Sequence, residues 1–125
     1  MGSLTLLKKI EIEENNISGM LPSEIGNLHL LESLDLSWNT LQAGSIPWEF
    51  QGLRNLKELL LKSNDLGGNI PTILGVLSNL ETLVLSLNSF TGEIPSVVKN
   101  LSSICTYHSF IVTFKKILAI SDTIQ

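Results

Sequence analysis

One cysteine, Cys105, stands in 125 residues, so no intramolecular disulfide forms and cysteine usage leaves the redox compartment open. Basic residues are also scarce: 8 Lys+Arg against 12 Asp+Glu give a formal charge of -4 and a pI near 5.0. A nucleic-acid binder carries a basic face, and this balance argues against one, while the acidic surplus is too mild to name a partner. No apolar run reaches the ~20 residues that a membrane span needs. The most apolar stretch, SFIVTFKKILAI, is broken by Lys115 and Lys116. MGSLTLLKKI lacks a basic start, an apolar core and a small-residue cleavage site, so no secretory signal is read there. Leu6 also stands where a myristoylation pattern wants Ser or Thr.

Groups for catalysis are thin. Candidate nucleophiles and bases reduce to Cys105, His29 and His108. His29 sits between two leucines, Cys105-x-x-His108 is half of a zinc site with no second half, and no GxxxxGK[ST] phosphate loop occurs. Neither an enzyme nor a bound metal or cofactor is expected.

Leucine is what the chain has in abundance, with 24 residues, and its placement is periodic. Pro22, Pro47, Pro71 and Pro95 are 25, 24 and 24 residues apart, each preceded three positions earlier by Gly19, Gly44, Gly68 or Gly92. Ahead of each stands L-x-x-L-x-L-x-x-N: Leu7-Ile10-Ile12-Asn15, Leu31-Leu34-Leu36-Asn39, Leu56-Leu59-Leu61-Asn64 and Leu80-Leu83-Leu85-Asn88. Alternation of the central apolar residues with variable ones is the period of a strand with one buried face, so four short parallel strands are expected along one side of a stack. Ile17, Leu41, Leu66 and Phe90, and the residues before each proline, turn back into the same core. After each proline the apolar residues step by three, as in Ile25-Leu28-Leu31 and Phe50-Leu53-Leu56, which suits a short helix or 3₁₀ turn on the outer side. Ala43 lengthens the second unit by one residue and should form a bulge.

The asparagine column Asn15, Asn39, Asn64 and Asn88 has its own cause. Where a coil turns off its strand, backbone groups face inward without water, and a short amide that donates and accepts satisfies them. The expected role is structural.

These residues resemble the plant-specific class of leucine-rich repeats, whose units add L-x-G-x-I-P to the strand core. That extension stands here as Ile17-Ser18-Gly19-Met20-Leu21-Pro22, Leu66-Gly67-Gly68-Asn69-Ile70-Pro71 and Phe90-Thr91-Gly92-Glu93-Ile94-Pro95. The resemblance implies an α/β right-handed solenoid of about four repeats over residues 3–104, with a parallel sheet on the concave face and short helical or 3₁₀ segments on the convex one. It also implies part of an ectodomain like those of receptor-like kinases and receptor-like proteins, which bind peptides, glycans or proteins, either as a monomer or within a larger array. An extracellular or cell-surface location follows from that resemblance, whereas the chain itself shows neither a leader nor cysteine-paired caps. Residues 105–125 depart from the pattern, and two readings stay open: a helical cap on the last coil, from the spacing of Ile104, Tyr107, Ile111, Phe114 and Leu118, or a partly disordered tail.

The variable strand positions form columns on the concave face, with strands ~4.8 Å apart. Lys8, Glu32, Lys57 and Glu81 alternate in charge and read as a cross-strand ladder that supports register. Glu11, Asp35, Leu60 and Val84 form the next column, followed by Glu13, Ser37, Lys62 and Ser86, and by Glu14, Trp38, Ser63 and Leu87. The expected ligand-binding set is Glu11, Glu13, Asp35, Trp38, Leu60, Lys62, Val84 and Leu87, an acidic zone beside an apolar patch. It suits a peptide with a basic residue next to hydrophobic ones. The competing readings are a solvated face of ordinary repeat residues on a truncated scaffold or decoy, and an enzyme, which the residues do not support. Two sequons, Asn16-Ile17-Ser18 and Asn100-Leu101-Ser102, are glycosylation acceptors only in a secreted chain, and with no leader visible they are expected to be unmodified.

Overall fold

Four runs in which inward apolar residues alternate with variable ones become strands, because only an extended chain puts every second side chain on one side. The computed structural model describes residues 2–42 and 44–96. Its strands are β1 (Lys9–Glu11), β2 (Ser18–Gly19), β3 (Ser33–Asp35), β4 (Thr40–Leu41), β5 (Glu58–Leu60) and β6 (Thr82–Val84). Its 3₁₀ segments are η1 (Gly2–Leu6), η2 (Ser23–Asn27), η3 (Trp48–Gly52) and η4 (Thr72–Val76). The bulge expected at Ala43, the step Val98-Leu101-Ile104, Asn100, Cys105, His108 and the tail 105–125 lie outside the described residues.

The main sheet is parallel in the order β1-β3-β5-β6, with Ile10, Leu34, Leu59 and Leu83 aligned across it. Adjacent strands are one repeat apart in sequence, so every crossover is one coil: coil 1 runs from Leu7, coil 2 from Leu31, coil 3 from Leu56 and coil 4 from Leu80. The core lies between this sheet and the 3₁₀ segments. Leu34, Leu59 and Leu83 are fully buried in it, as are Phe50, Leu53, Leu56 and Leu77.

On the outer side the steps of three are literal hydrogen bonds. Leu28 N–H donates to the Ile25 carbonyl at 3.0 Å and Leu31 N–H to the Leu28 carbonyl at 2.9 Å, with the same chain through Phe50, Leu53 and Leu56. Pro22, Pro47 and Pro71 enter η2, η3 and η4 with φ of -68°, -61° and -75°, the range that the ring imposes. Neighbouring segments approach backbone to backbone: a Cβ on Gly26 would overlap the Glu49 carbonyl, and one on Gly52 the Gly26 carbonyl. Glycine here serves close packing between coils.

Coil 1 differs from the others. Leu7, Ile10, Ile17, Ile25 and Leu28 pack against the core only partly buried, and Ile12, expected to face inward, is 41 % exposed. No described coil covers its front, so the inward set of this coil is half finished.

A second, smaller sheet was not anticipated. β2 pairs with β4 in parallel, and single bridges at Gln42–Asp65 and Asn69–Thr91 carry the pairing onward. It forms because the segment after each asparagine recurs at the same period as the strands: Asp65 N–H donates to the Leu41 carbonyl and Ser89 N–H to the Leu66 carbonyl, each at 2.7 Å.

Candidate functional site: the concave sheet face

Each strand of the main sheet ends in a corner built around the asparagine. Asn39, buried, accepts from the N–H groups of Asn15 and Ile17, both at 3.1 Å. Its Nδ2 donates to the carbonyls of Leu36 at 2.9 Å and of Ser37 and Ile12 at 3.2 Å. Asn64 and Asn88 repeat the pattern, accepting from Leu41 N–H and Leu66 N–H and donating to carbonyls of their own coil and the coil before. The column therefore stitches coils together and closes their corners.

The residue before each asparagine is in the left-handed region: Glu14, Trp38, Ser63 and Leu87 have φ of 56°, 57°, 57° and 59°. That conformation costs a non-glycine residue about 1–2 kcal/mol. At Glu14, Trp38 and Ser63 a cross-coil bond holds it in place, as in Trp38 N–H to the Lys62 carbonyl at 2.7 Å. Trp38 and Leu87 are left 50 % and 46 % exposed, with the small Ser63 between them. Lys62 Nζ lies 5.6 Å from the Trp38 ring centroid, an exposed cation–π contact worth about 0.5–1 kcal/mol.

Glu11, Asp35, Leu60 and Val84 stand in one register across the sheet, running from acidic to apolar. Glu11 and Glu13 are exposed, and Asp35, Leu60, Lys62 and Val84 are half-buried. Asp35 Oδ1 accepts Ser37 N–H at 2.9 Å, which fixes the carboxylate. Two members of the neighbouring column are not on the surface: Ser37 and Ser86 are buried. A further column, Lys9, Ser33, Glu58 and Thr82, occupies the start of the strands and was missed in the sequence. Its signal was the residue just before each second leucine, recurring at the same period.

In the expected charge ladder, Lys57 Nζ donates to Glu32 Oε2 at 3.1 Å. This hydrogen bond, and then the charge of Lys57, hold the Glu32 carboxyl below its ordinary value, while Glu32 raises Lys57 in the same way. Lys8 and Glu81 act on the pair only through space. His29 Nδ1 lies 3.0 Å from the Gly52 carbonyl, which can only accept, so this nitrogen carries the proton and the ring is tied to the outer turns. Asn16 and Ser18 of the first sequon are exposed. Among the described residues no three His, Cys, Asp or Glu side chains gather to hold a metal ion, and no helix is long and apolar enough to cross a membrane.

A leucine rich repeat family model matches residues 5–66, and a second leucine rich repeat model matches residues 79–101. The chain belongs to the leucine-rich-repeat family. Over 68 residues this leucine-rich-repeat chain is 43 % identical to Receptor-like protein 52 of Arabidopsis thaliana, a match covering 54 % of the chain and 8 % of that protein. A plant peptide hormone receptor, RGFR1, solved in complex with RGF2, superposes with a TM-score of 0.78 at 41 % identity over 82 % of the chain and 16 % of the receptor. A plant ice-binding protein superposes with a TM-score of 0.75 at 39 % identity, over 80 % of the chain and 32 % of that protein. The array thus spans a small part of each relative. One scaffold serves a hormone receptor and an ice-binding protein, so function has to be argued from the surface.

Proposed function

We propose that the array is a non-catalytic recognition module, part of a receptor-like ectodomain, that binds a peptide or protein ligand across its concave face. The observation that carries this reading is the pair of exposed apolar side chains, Trp38 and Leu87, held in left-handed corners beside a column that passes from Glu11 and Asp35 to Leu60 and Val84. A basic ligand side chain meets Glu11, Glu13 and Asp35, and its apolar neighbours lie against Trp38, Leu60, Val84 and Leu87, with Lys62 backing the indole. Rigid aromatic anchors beside satisfied polar groups are where binding energy concentrates. The likeness to a peptide hormone receptor supports the same reading.

The test is a panel of synthetic peptides pairing a basic residue with an aliphatic one, titrated by calorimetry. In a binding peptide, Trp38→Ala with Leu60→Ala should weaken affinity about 30-fold or more, equivalent to about 2 kcal/mol, without shifting the thermal midpoint by more than a few degrees. Unchanged affinity in the double variant would remove the concave-face reading.

A further inference from the structure

Equivalent residues of successive repeats form columns on the outer side of the stack as well as across the sheet, and two positions break their columns. Met20 stands where the later repeats carry Ser45, Asn69 and Glu93, and Trp48 where the others carry Ser23, Thr72 and Ser96. Stacking requires neither side chain: Met20 is 67 % exposed and Trp48 63 %, while Leu21, Ile46 and Phe50 close the core beside them.

Both adjoin one groove. It opens between the entries to η2 and η3, holds about 480 Å³ and is lined by Met20, Pro22, Glu24, Pro47 and Glu49 among others. Trp48 lies between two of these lining residues in the chain. Met20 Cε rests over Gly44, 3.7 Å from where a Cβ would stand. Glu24 and Glu49 occupy the position that in the third repeat is Ile73, which packs against the core. Neither carboxylate is in an ion pair with a described residue.

An exposed indole beside uncommitted carboxylates is complementary to one side chain above the others. A guanidinium is planar, stacks on an indole face and forks onto a carboxylate, whereas an ammonium is a point charge without the fork. The two prolines and the adaptable thioether of Met20 supply apolar walls for whatever flanks that cation.

We infer that this groove on the outer side of coils 1 and 2 docks an extended, arginine-bearing segment of a protein partner. The guanidinium meets Trp48 and the Glu24 and Glu49 carboxylates, and a neighbouring proline or aliphatic residue lies against Met20, Pro22 and Pro47. The site is apart from the concave face and independent of the ligand reading there. A second copy of this chain fits poorly, because its one arginine, Arg54, is held in a tight outer turn, with its N–H on the Gly52 carbonyl and its own carbonyl accepting from Asn79.

The test uses the full chain carrying Trp38→Phe, in which Trp48 is the only indole. Acetylated, amidated octapeptides that fix one arginine beside a proline and a leucine, with the other positions randomised, are selected on the immobilised chain and then titrated in solution. Selected peptides should shift Trp48 emission to shorter wavelength. Their affinity should fall roughly tenfold or more in Trp48→Ser with Met20→Ser, which installs the residue type found at Ser23 and Ser45. Glu24→Gln with Glu49→Gln should weaken binding similarly, by less as salt is raised, and lysine in place of the peptide's arginine should bind more weakly. Leu60→Ala should change nothing. The inference is overturned if no selected peptide moves Trp48 emission, if affinity survives either paired variant, if lysine serves as well as arginine, or if Leu60→Ala abolishes binding. It is also overturned if the emission shift appears in the chain alone with rising concentration while it sediments as a dimer, since the occupant is then a second copy.

Discussion

Asn39 is buried and engages five backbone groups, two as acceptor and three as donor. Leucine at this position adds apolar surface but strands those groups, and each buried orphan costs about 1–3 kcal/mol. Asn39→Leu should therefore lower stability in urea by about 3 kcal/mol, a loss that hydrophobicity alone would predict as a gain. The Glu32–Lys57 pair is a weaker and pH-bounded contribution. Glu32 is shifted down, so its share is present above the ordinary carboxylate range and fades as pH falls through the lowered value. Lys57 is shifted up, so its share is present below the ordinary ammonium value and fades as pH rises through the raised one. Both side chains are exposed and screened. The stability difference between the parent and Lys57→Met should thus be small at neutral pH, and smaller still at acid pH or in high salt.

Among elements, the 3₁₀ segments decide how closely coils stack. Gly26 and Gly52 lie where a methyl group would enter a neighbouring coil's carbonyl oxygen, which a rigid backbone cannot evade. Gly67, whose added Cβ would meet only Ser89 O at 3.8 Å, is the natural control. Gly26→Ala and Gly52→Ala should each cost about 1–3 kcal/mol and lower the thermal midpoint, with Gly67→Ala close to neutral. The strands were legible as elements because L-x-x-L-x-L names its own buried face. The second sheet was not: β2 and β4 are two residues each, and their pairing depends on backbone groups carrying no side-chain signature. The left-handed corners were hidden for the same reason, since Glu, Trp, Ser and Leu occupy one conformation without sharing any chemistry.

Taken as a whole, the molecule is a line of coils in which each is stabilised by its neighbours, so burial follows position in the stack. Leu59 in coil 3 is fully buried, whereas its register partner two coils earlier, Ile10, is only partly so. Leu59→Ala should cost about 2–5 kcal/mol and Ile10→Ala less than half as much, with amide exchange fastest in β1. Two similar truncations with equal costs would contradict a nearest-neighbour stack. The candidate binding face inherits this geometry: Trp38, Leu60, Val84 and Leu87 come from coils 2, 3 and 4, so no single unit contains the patch.

Periodicity alone was enough to assign the inward leucines and the asparagine column, because a residue repeated at constant spacing in a stack must meet its own equivalents in the next coil. Which outward residues a ligand can reach was a different matter. The repeat pattern puts Ser37 and Ser86 on the surface and Ile12 in the core, whereas the two serines are buried and Ile12 is exposed. Exposure at each of these positions is set by side chains about one repeat away in sequence, and by the absence of a described coil in front of the first. The direction of Trp38 and Leu87 is set by a backbone angle that neither residue type favours, and at Trp38 the next coil holds it through the bond to the Lys62 carbonyl.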